Sequence, residues 1–253
     1  MAEGKIVFQR PKSMKKAYTH YCPGCGHSIA HRLVCEVIDE MDIRGTIIGV
    51  PPAGCAVLAY FYFDIDMLEA PHGRGPAAAT GIKRVLPDRI VFSYQGDGDL
   101  AAIGTAESFH AAGRGENITI IFINNAVYGM TGGQMAPTTM LGQKTSTSPL
   151  GRTPKIDGYP TKISEAMALM PGSAYIERCM LTSPATVLKT KKAIRKAFDY
   201  QQEELGFTMI EILSPCPTNW KMTPLNSLKW VEEEMTKQFP IGVLKDIKAK
   251  SKG

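Results

Sequence analysis

The apolar residues of this chain concentrate in five short segments, each followed by a turn or a polar stretch. Apolar runs of this length are typical of strands that are buried on both faces of a parallel sheet. Glycine, proline and asparagine follow several of these segments, which is where turns are expected. The five predicted strands are Thr46–Val50, Ile90–Tyr94, Ile118–Ile123, Ala174–Cys179 and Phe207–Leu213.

Between and around these strands, apolar residues recur at the spacing of an amphipathic helix. A long helix is expected to begin at Ser183-Pro184, because serine caps a helix and proline suits its first position, and to end near Leu205. The apolar stripe of the first helix, after Gly26, consists of Ile29, Leu33, Val37 and Met41. The other predicted helices are Ala77–Val85, the run that ends at Arg114, Lys162–Met170 and the tail helix Leu225–Phe239.

This alternation of strands and helices predicts an α/β fold, with an open, mostly parallel sheet and helices on both faces. A chain of 253 residues is long enough for one large domain with a full core, and we expect residues 21–220 to form it. Residues 1–20 are basic and aperiodic and are expected to form an amino-terminal arm. Residues 221–253 are expected to form a helical tail.

Composition and charge exclude several classes of protein. No segment approaches the ~18 continuous apolar residues of a membrane span, and the first residues lack the apolar core of a secretion signal. We therefore expect a cytoplasmic protein. The net charge of +5 is spread along the chain, which indicates a solvated surface, with an acidic protein partner as the alternative and no nucleic-acid partner. Six cysteines in such a chain favour metal ligation or redox chemistry over disulfides.

Two polar turns follow neighbouring predicted strands. Gly96–Asp99 reads Gly-Asp-Gly-Asp, and Asn124-Asn125 follows the next strand along the chain. In a parallel sheet both turns leave the carboxyl ends of their strands, where open α/β sheets bind ligands. Glycines let backbone N–H groups approach an anion, and Asp97 with Asn125 supplies oxygen ligands of the kind that Mg²⁺ takes alongside phosphates. The two turns therefore predict a site for a magnesium-bound diphosphate.

Four cysteines are predicted to meet at the same edge of the sheet. Cys22 and Cys25 form a C-x-x-C pair, while Cys55 and Cys216 each lie just beyond a predicted strand. Four thiolates suit either Zn²⁺ or a [4Fe–4S] cluster, and spacing alone does not decide between them. A thioredoxin-like redox pair is a third interpretation, but it leaves the second pair unexplained. The other two cysteines are expected to be free and buried: Cys35 and Cys179.

Two further loops are candidates for a function. His72 and Arg74 lie in the turn Pro71–Pro76 just before a predicted helix, and a helix start of this kind suits an anion. A tight loop with an exposed arginine is the alternative interpretation. The segment Met135–Tyr159 is too long for an ordinary connection, which indicates a functional loop or one that covers a partner.

In combination, these motifs resemble a known family. The acidic turn closed by Asn124-Asn125 resembles the diphosphate-binding motif of thiamine-diphosphate enzymes. The continuation Tyr128–Gln134, together with the Cys-Pro-Gly-Cys-Gly sequence at Cys22–Gly26, resembles the β subunit of 2-oxoacid:ferredoxin oxidoreductases. The resemblance implies a thiamine-diphosphate-binding fold. It also implies CoA-dependent oxidative decarboxylation of a 2-oxoacid to acyl-CoA and CO₂, with electrons passing through a [4Fe–4S] cluster to ferredoxin.

The resemblance implies a role for each matching residue. The cluster ligands would be Cys22, Cys25, Cys55 and Cys216. The Mg²⁺ ligands would be Asp97, Asn125 and the backbone carbonyl of Val127. The residues implied in binding thiamine diphosphate are Gly26, His27, Gly54, Gly96, Gly98, Asp99, Gly129, Met130 and Thr131. The candidate catalytic residues are His27, His72 and Arg74, with helix capping as the alternative role of His27.

The same resemblance implies partners and narrows the substrate. An α subunit would carry the domain that binds the aminopyrimidine ring, ferredoxin would accept electrons, and γ and ferredoxin-like δ subunits are optional additions. Met130 stands where pyruvate enzymes have asparagine and Gly132 where some 2-oxoglutarate enzymes have lysine, which favours branched-chain 2-oxoacids. Lys144, Arg152 or a residue on another subunit is the alternative that would bind a dicarboxylate. The rival interpretations are a non-oxidative thiamine-diphosphate decarboxylase or synthase subunit and a zinc-stabilised binding module.

Overall fold

The predicted strands form the centre of a seven-stranded sheet in the computed structural model, which describes residues 8–249. The strands are β1 (Ile47–Val50), β2 (Asp66–Met67), β3 (Ile90–Gly96), β4 (Thr119–Asn124), β5 (Ser173–Met180), β6 (Phe207–Leu213) and β7 (Gly242–Asp246). From edge to edge their order is β2-β1-β3-β4-β6-β5-β7. The pairs are parallel except for the last, between β5 and β7.

Most of the helices connect the strands and pack on the sheet. Helix α6 begins with a capping box in which Ser183 and Thr186 exchange side-chain and backbone hydrogen bonds. One π-helical turn, Asp99–Ile103, precedes α3, and another joins α8 to α9. The helices are α1 (His27–Glu40), α2 (Gly75–Val85), α3 (Thr105–Arg114), α4 (Pro154–Asp157), α5 (Ile163–Ala168), α6 (Pro184–Gln202), α7 (Pro217–Trp220), α8 (Pro224–Trp230) and α9 (Thr236–Gln238).

Two hydrophobic clusters, one on each face of the sheet, hold the helices in place. Helices α1 and α6 cover one face, where Phe92 and Tyr94 of β3 lie. Helices α2, α3 and α5 cover the other, around Phe122 and Met209. Successive residues of the central strands therefore enter different clusters, and both faces of the sheet are buried, as the apolar runs predicted. The predicted α/β fold class is confirmed.

Two parts of the fold differ from the prediction. The segment after the tail helix contains strand β7, whose short mixed sequence has no periodic pattern. Asp246 anchors it by accepting hydrogen bonds from Lys196 Nζ (2.6 Å) and the Tyr200 hydroxyl (2.6 Å). In α1, Ile29 is exposed, so the predicted stripe was wrong at that residue. The buried stripe of α1 includes Ala30, Leu33, Val34, Val37 and Ile38.

Much of the predicted amino-terminal arm lies against its own chain. The backbone N–H of Ser13 donates to Asp39 (3.1 Å), and the Ser13 hydroxyl donates to the carbonyl of Cys35 (2.8 Å), so this part of the arm packs on α1. The ends of the predicted arm and tail, residues 1–7 and 250–253, lie outside the described residues.

A buried ion pair supports the loop after β4. Arg178 on β5 donates to Glu211 on β6 (2.7 Å), and both side chains are 1% exposed. The other carboxylate oxygen of Glu211 accepts from Asn124 Nδ2 (2.7 Å), and Asn124 Oδ1 accepts from the backbone N–H of Ala126 (3.2 Å). The Arg178 guanidinium also donates to the carboxylate of Glu165 (2.6 Å). The ion pair therefore fixes the side chain of Asn124, the residue at which the loop after β4 starts.

We expect Arg178→Met to destabilise the protein strongly, because it leaves the Glu211 carboxylate buried without a cation. Breaking a buried pair in this way costs about 3–5 kcal/mol. The matched control is Arg195→Met, which removes an exposed pair with Asp199 at 3.3 Å and should change the free energy of unfolding by less than ~1 kcal/mol. Urea denaturation of both variants measures the difference. Equal losses would show that the buried pair has no special role.

Candidate active site at the carboxyl edge of the sheet

The acidic turn after β3 holds a buried carboxylate. Asp97 is 2% exposed, and its two oxygens accept hydrogen bonds from the backbone N–H of Gly98 (2.8 Å) and the hydroxyl of Thr138 (2.7 Å). Burial raises the pKa of Asp97 to about 7, although these hydrogen bonds oppose the shift. A carboxylate in such a place is stabilised in its charged form by a nearby cation.

The loop after β4 approaches the acidic turn. Strands β3 and β4 are neighbours in register, so Asn125 emerges at the same edge as Asp97. Asn125 Oδ1 accepts from the N–H of Val127 (3.3 Å), and Ala126 adopts a left-handed conformation (φ 59°). The N–H of Ala126 also lies against the Asp97 carboxylate. Carboxylate, amide and carbonyl oxygens gathered here are the donor set that suits Mg²⁺.

The glycine loop Tyr128–Gln134 closes on itself through backbone bonds. Tyr128 N–H donates to the carbonyl of Gln134 (3.0 Å), and Gly133 N–H donates to the carbonyl of Tyr128 (2.8 Å). The ring of Tyr128 packs on Gly98, where an added Cβ would lie 2.2 Å from it. Thr131 donates its hydroxyl to Gln134 (2.6 Å) within the loop. The structure thus brings the predicted diphosphate residues of the acidic turn and of the glycine loop side by side.

Asp99 ties the His72 turn to the acidic turn. Its carboxylate accepts from His72 Nδ1, from the N–H of Gly73 (2.6 Å) and from the side chain of Gln95. Arg74 lies on the outside of this turn and pairs with Glu107. The structure therefore places His72 at the acidic turn, whereas the charge of Arg74 is already paired.

The four predicted cluster cysteines line one cavity of about 220 Å³. The same cavity is lined by Asn125, Gly129 and Met130 of the diphosphate loops. An added Cβ at Gly129 would lie 3.1 Å from the sulfur of Cys55, so the cysteines and the glycine loop are in contact. Burial, followed by the neighbouring thiols, raises the pKa of Cys25 and of Cys55 to about 12. Four clustered sulfurs of this kind need a cationic centre to be held as thiolates.

The four cysteines differ in their exposure around the cavity that they line. Within residues 8–249, no three His, Cys, Asp or Glu side chains converge closely enough to hold a single metal ion. Cys22 is exposed, Cys25 and Cys55 are partly buried, and Cys216 is buried. Four thiols that line one cavity are a donor set that suits a [4Fe–4S] cluster or Zn²⁺. As predicted, Cys35 and Cys179 are free and buried elsewhere in the chain.

His27 lies beneath the C-x-x-C turn in an aromatic cluster. It is 1% exposed, its Nδ1 is 3.2 Å from the hydroxyl of Tyr94, and its ring stacks on Tyr21 with centroids 5.0 Å apart. Burial lowers the pKa of His27 to about 3, so the ring is neutral at pH 7. No side-chain bond caps α1, and the helix-capping interpretation was therefore wrong.

Helix α7, which starts just after Cys216, carries two site residues that the sequence analysis missed. Asn219 Nδ2 donates to the carbonyl of Gly129 (2.9 Å) and to the sulfur of Cys216 (3.2 Å). Trp220 Nε1 donates to the carbonyl of Asn125 (3.1 Å). Their position immediately after a predicted ligand cysteine was the available signal, but nothing in their spacing indicates these contacts.

Arg152 organises the long loop between Gln134 and α5. Its guanidinium is buried and, among residues 8–249, donates only to backbone carbonyls, so the interpretation of Arg152 as a ligand of a dicarboxylate substrate was wrong. Lys144 in the same loop is exposed. The loop presents Leu150, Ile156 and Tyr159 to solvent, with 93%, 84% and 72% exposure. The carbonyls that Arg152 bonds are those of Ala136, Pro137, Thr139, Asp157, Gly158 and Tyr159.

The chain is similar in sequence to several known proteins. Residues 55–212 match the family model described as thiamine pyrophosphate enzyme, C-terminal TPP binding domain. The subunit VorA of a ketoisovalerate oxidoreductase from Methanothermobacter thermautotrophicus is 44% identical over 245 residues, which are 97% of this chain and 51% of that protein. The subunit KorB of a 2-oxoglutarate synthase from Methanocaldococcus jannaschii is 37% identical over 84% of this chain and 77% of its own length.

Among solved structures, a 2-oxoglutarate:ferredoxin oxidoreductase from Magnetococcus marinus superposes with a TM-score of 0.77 and 25% identity, covering 97% of this chain and 88% of the other. The chain spans about half the length of VorA. Among residues 8–249, no helix has the length and apolar character needed to cross a membrane. On the family model and the relatives together, the chain belongs to the thiamine pyrophosphate-binding subunits of the 2-oxoacid oxidoreductases.

Proposed function

We propose that this chain is the β-type subunit of a 2-oxoacid:ferredoxin oxidoreductase. The observation that carries the proposal is the contact between the four-cysteine cavity and the glycine loop beside the acidic turn. Decarboxylation on thiamine diphosphate alone needs no electron carrier, whereas oxidative decarboxylation releases two electrons that leave singly. The overall reaction converts a 2-oxoacid anion, CoA and two oxidised ferredoxins into acyl-CoA, CO₂, two reduced ferredoxins and one proton.

The acidic edge would hold thiamine diphosphate through Mg²⁺. When bound, the cofactor supplies the nucleophilic carbon and the electron sink that decarboxylation needs. Asp97, Asn125 and the Val127 carbonyl would bind the metal, and the glycine-rich turns would offer N–H groups to the diphosphate. The proposed diphosphate-binding residues remain Gly96, Gly98, Asp99, Gly129, Met130 and Thr131, with Gly26, His27 and Gly54 nearer the cysteines.

Of the three candidate catalytic residues, His72 has the strongest support. Asp99 fixes its ring through Nδ1, which leaves Nε2 as the atom available to exchange a proton. Arg74 is paired with Glu107, and His27 is enclosed between Tyr21 and Tyr94. We assign His72 to proton transfer or anion binding at the acidic turn.

The cysteine cavity would hold a [4Fe–4S] cluster through Cys22, Cys25, Cys55 and Cys216. A cluster of this kind carries one electron at a time. The contact of the cysteines with the glycine loop supports the cluster over the zinc-stabilised module, which would leave the diphosphate residues without a role. The four cysteines also favour an oxidoreductase with a cluster over a non-oxidative thiamine-diphosphate enzyme, because the non-oxidative reaction needs no electron carrier.

The substrate we propose is a branched-chain 2-oxoacid such as 2-oxoisovalerate. Met130 is apolar and 52% exposed at the cavity, and Gly132 offers no charge. Arg152 is occupied by backbone carbonyls, which removes one candidate partner for a distal carboxylate. VorA, a ketoisovalerate oxidoreductase subunit, is 44% identical to this chain. 2-Oxoglutarate is the second candidate, because the KorB relative is 37% identical.

We further propose that the chain acts in the cytoplasm within a hetero-oligomer. An α subunit would bind the aminopyrimidine ring, CoA would be the co-substrate, and ferredoxin the acceptor. The γ and ferredoxin-like δ subunits are optional further members of this complex. The half of VorA that lies outside the match has room for a further domain of ~100–150 residues or more.

The experiment that tests this function uses the complex isolated anaerobically through a tag on this chain. With CoA and a viologen dye as acceptor, we expect 2-oxoisovalerate to be oxidised with a kcat/KM about tenfold or more above that of pyruvate or 2-oxoglutarate. Faster oxidation of 2-oxoglutarate would replace the substrate assignment. Release of aldehyde and CO₂ without CoA or dye would instead support the non-oxidative class.

Asp97→Ala in the same complex serves as the cofactor control. Loss of a charged ligand costs about 1.5–3 kcal/mol, so the affinity for thiamine diphosphate should drop by about tenfold or more. Visible absorbance should be retained, because Asp97 is not a cluster ligand. Unchanged cofactor affinity in this variant would remove the acidic turn from the proposed site.

A further inference from the structure

The one-turn helix α7 lies between the two parts of the proposed site. It starts directly after Cys216 and ends at Trp220, where Lys221 turns the chain away with a left-handed conformation (φ 55°). Trp220 packs on Trp230 of α8 with ring centroids 4.3 Å apart, so the tail helix supports this turn from behind. The turn is therefore held in place by the tail helix as well as by the loop that it bonds.

Asn219 joins the thiolate cavity to the glycine loop. One amide nitrogen donates to both the Cys216 sulfur (3.2 Å) and the Gly129 carbonyl (2.9 Å). The backbone N–H of Asn219 lies against the same sulfur. Gly133 packs on this side chain, where an added Cβ would lie 3.0 Å from Asn219 Cβ. The side chain is thus enclosed by the loop that it bonds.

The orientation of the amide follows from its partners. A flipped amide would place Oδ1 against the carbonyl oxygen of Gly129, and two acceptors at that distance repel each other. A thiolate is likewise an acceptor, so both neighbours require the N–H₂ group. Trp220 adds a parallel contact to the carbonyl of Asn125 (3.1 Å), so consecutive residues of one turn bond two carbonyls of the loop that follows β4.

We propose that Asn219 is a positioning residue that couples the cysteine cavity to the diphosphate loop and tunes the cluster held there. The inference rests on the proposed function, since it needs the cluster. A hydrogen bond to a ligand sulfur stabilises negative charge, and the reduced cluster carries one more negative charge than the oxidised one. Removing the donor therefore makes the cluster harder to reduce. Through Gly129, the same change loosens the loop proposed to hold the diphosphate.

Asn219→Leu, which keeps the branched shape without a donor, and Asn219→Ala test this in the anaerobically purified complex. A net hydrogen bond of ordinary strength changes the equilibrium constant for reduction by about threefold to tenfold. For a one-electron couple that corresponds to a shift of about 30–60 mV to more negative potential, measured by a dye-mediated titration of the visible absorbance. Thiamine diphosphate should also bind about threefold to tenfold more weakly.

The matched control is Asn226→Ala, an exposed asparagine on α8, which should leave both values unchanged. Unchanged potentials in both Asn219 variants, with the cluster intact, would overturn the inference. Bleaching of both variants would also overturn the tuning role, because Asn219 would then be needed for assembly. A colourless wild-type complex would instead reject the proposed function itself, so the two failures are distinguishable.

Discussion

Serine in place of any one of Cys22, Cys25, Cys55 or Cys216 is expected to bleach the anaerobically purified protein. The brown wild-type chain should hold about four irons, because one [4Fe–4S] cluster needs all four thiolates. A serine hydroxyl is a hard and weakly acidic ligand, and it does not replace a soft thiolate on iron. Visible absorbance and iron analysis of each variant provide the measurement.

The two remaining cysteines provide matched controls for this prediction. Cys35 and Cys179 are buried away from the cavity, and the Cys35 thiol donates to the carbonyl of Ser13 (3.6 Å). A serine hydroxyl makes the same bond, so Cys35→Ser should keep both colour and iron, and Cys179→Ser likewise. A colourless wild-type protein with one tightly bound zinc would contradict the cluster proposal and support the zinc-stabilised module.

The second large effect concerns the 253-residue chain by itself. Given a 2-oxoacid, CoA, Mg²⁺ and thiamine diphosphate, it should reduce neither ferredoxin nor a viologen dye. The cofactor must be held at both ends, and a carboxylate at the aminopyrimidine end promotes loss of its proton. Residues 8–249 form one sheet around the diphosphate end. Binding of the aminopyrimidine end of the cofactor therefore requires another domain, which we assign to the α subunit.

Addition of the co-purifying larger subunit should restore activity. A positioned acid–base group contributes about 10²–10⁴-fold, and the rate should rise by at least that range. The loop held by Arg152, with exposed Leu150, Ile156 and Tyr159, is a surface to examine for this contact. By contrast, Trp230 on the tail helix packs on Trp220 within the chain. Full turnover by the single chain would mean that the missing carboxylate lies within it.

Local sequence determined the central strands of this protein and the turns that follow them. The apolar runs fixed where β3, β4 and β6 lie, because a strand buried on both faces needs continuous apolar residues. Turns at the carboxyl ends of parallel strands meet at one edge, so the nearness of Asp97 to Asn125 followed from the pattern alone. The cysteine pair and the acidic turn then pointed to the family, which the comparisons show.

The tertiary structure decided the contacts that carry no local pattern. Strand β6 pairs with β4, and this long-range choice sets Cys216 beside the Asn125 loop. His27 is buried against Tyr94, 67 residues away, and Asn219 bonds Gly129, 90 residues away. Arg152 was an alternative partner for a dicarboxylate substrate, because a charged side chain in sequence does not reveal which carbonyls surround it.

The difference between the features that local sequence determined and those that the tertiary structure decided has a physical reason. Burial of apolar residues and turn chemistry act over a few neighbouring positions, so periodicity records them directly. A side-chain hydrogen bond joins positions that only the finished packing brings together, and polar residues fit many partners equally well. The chain by itself thus specified the central strands of the sheet and the edge at which the candidate site residues meet. The fold alone assigned His72, Arg152 and Asn219 to their partners.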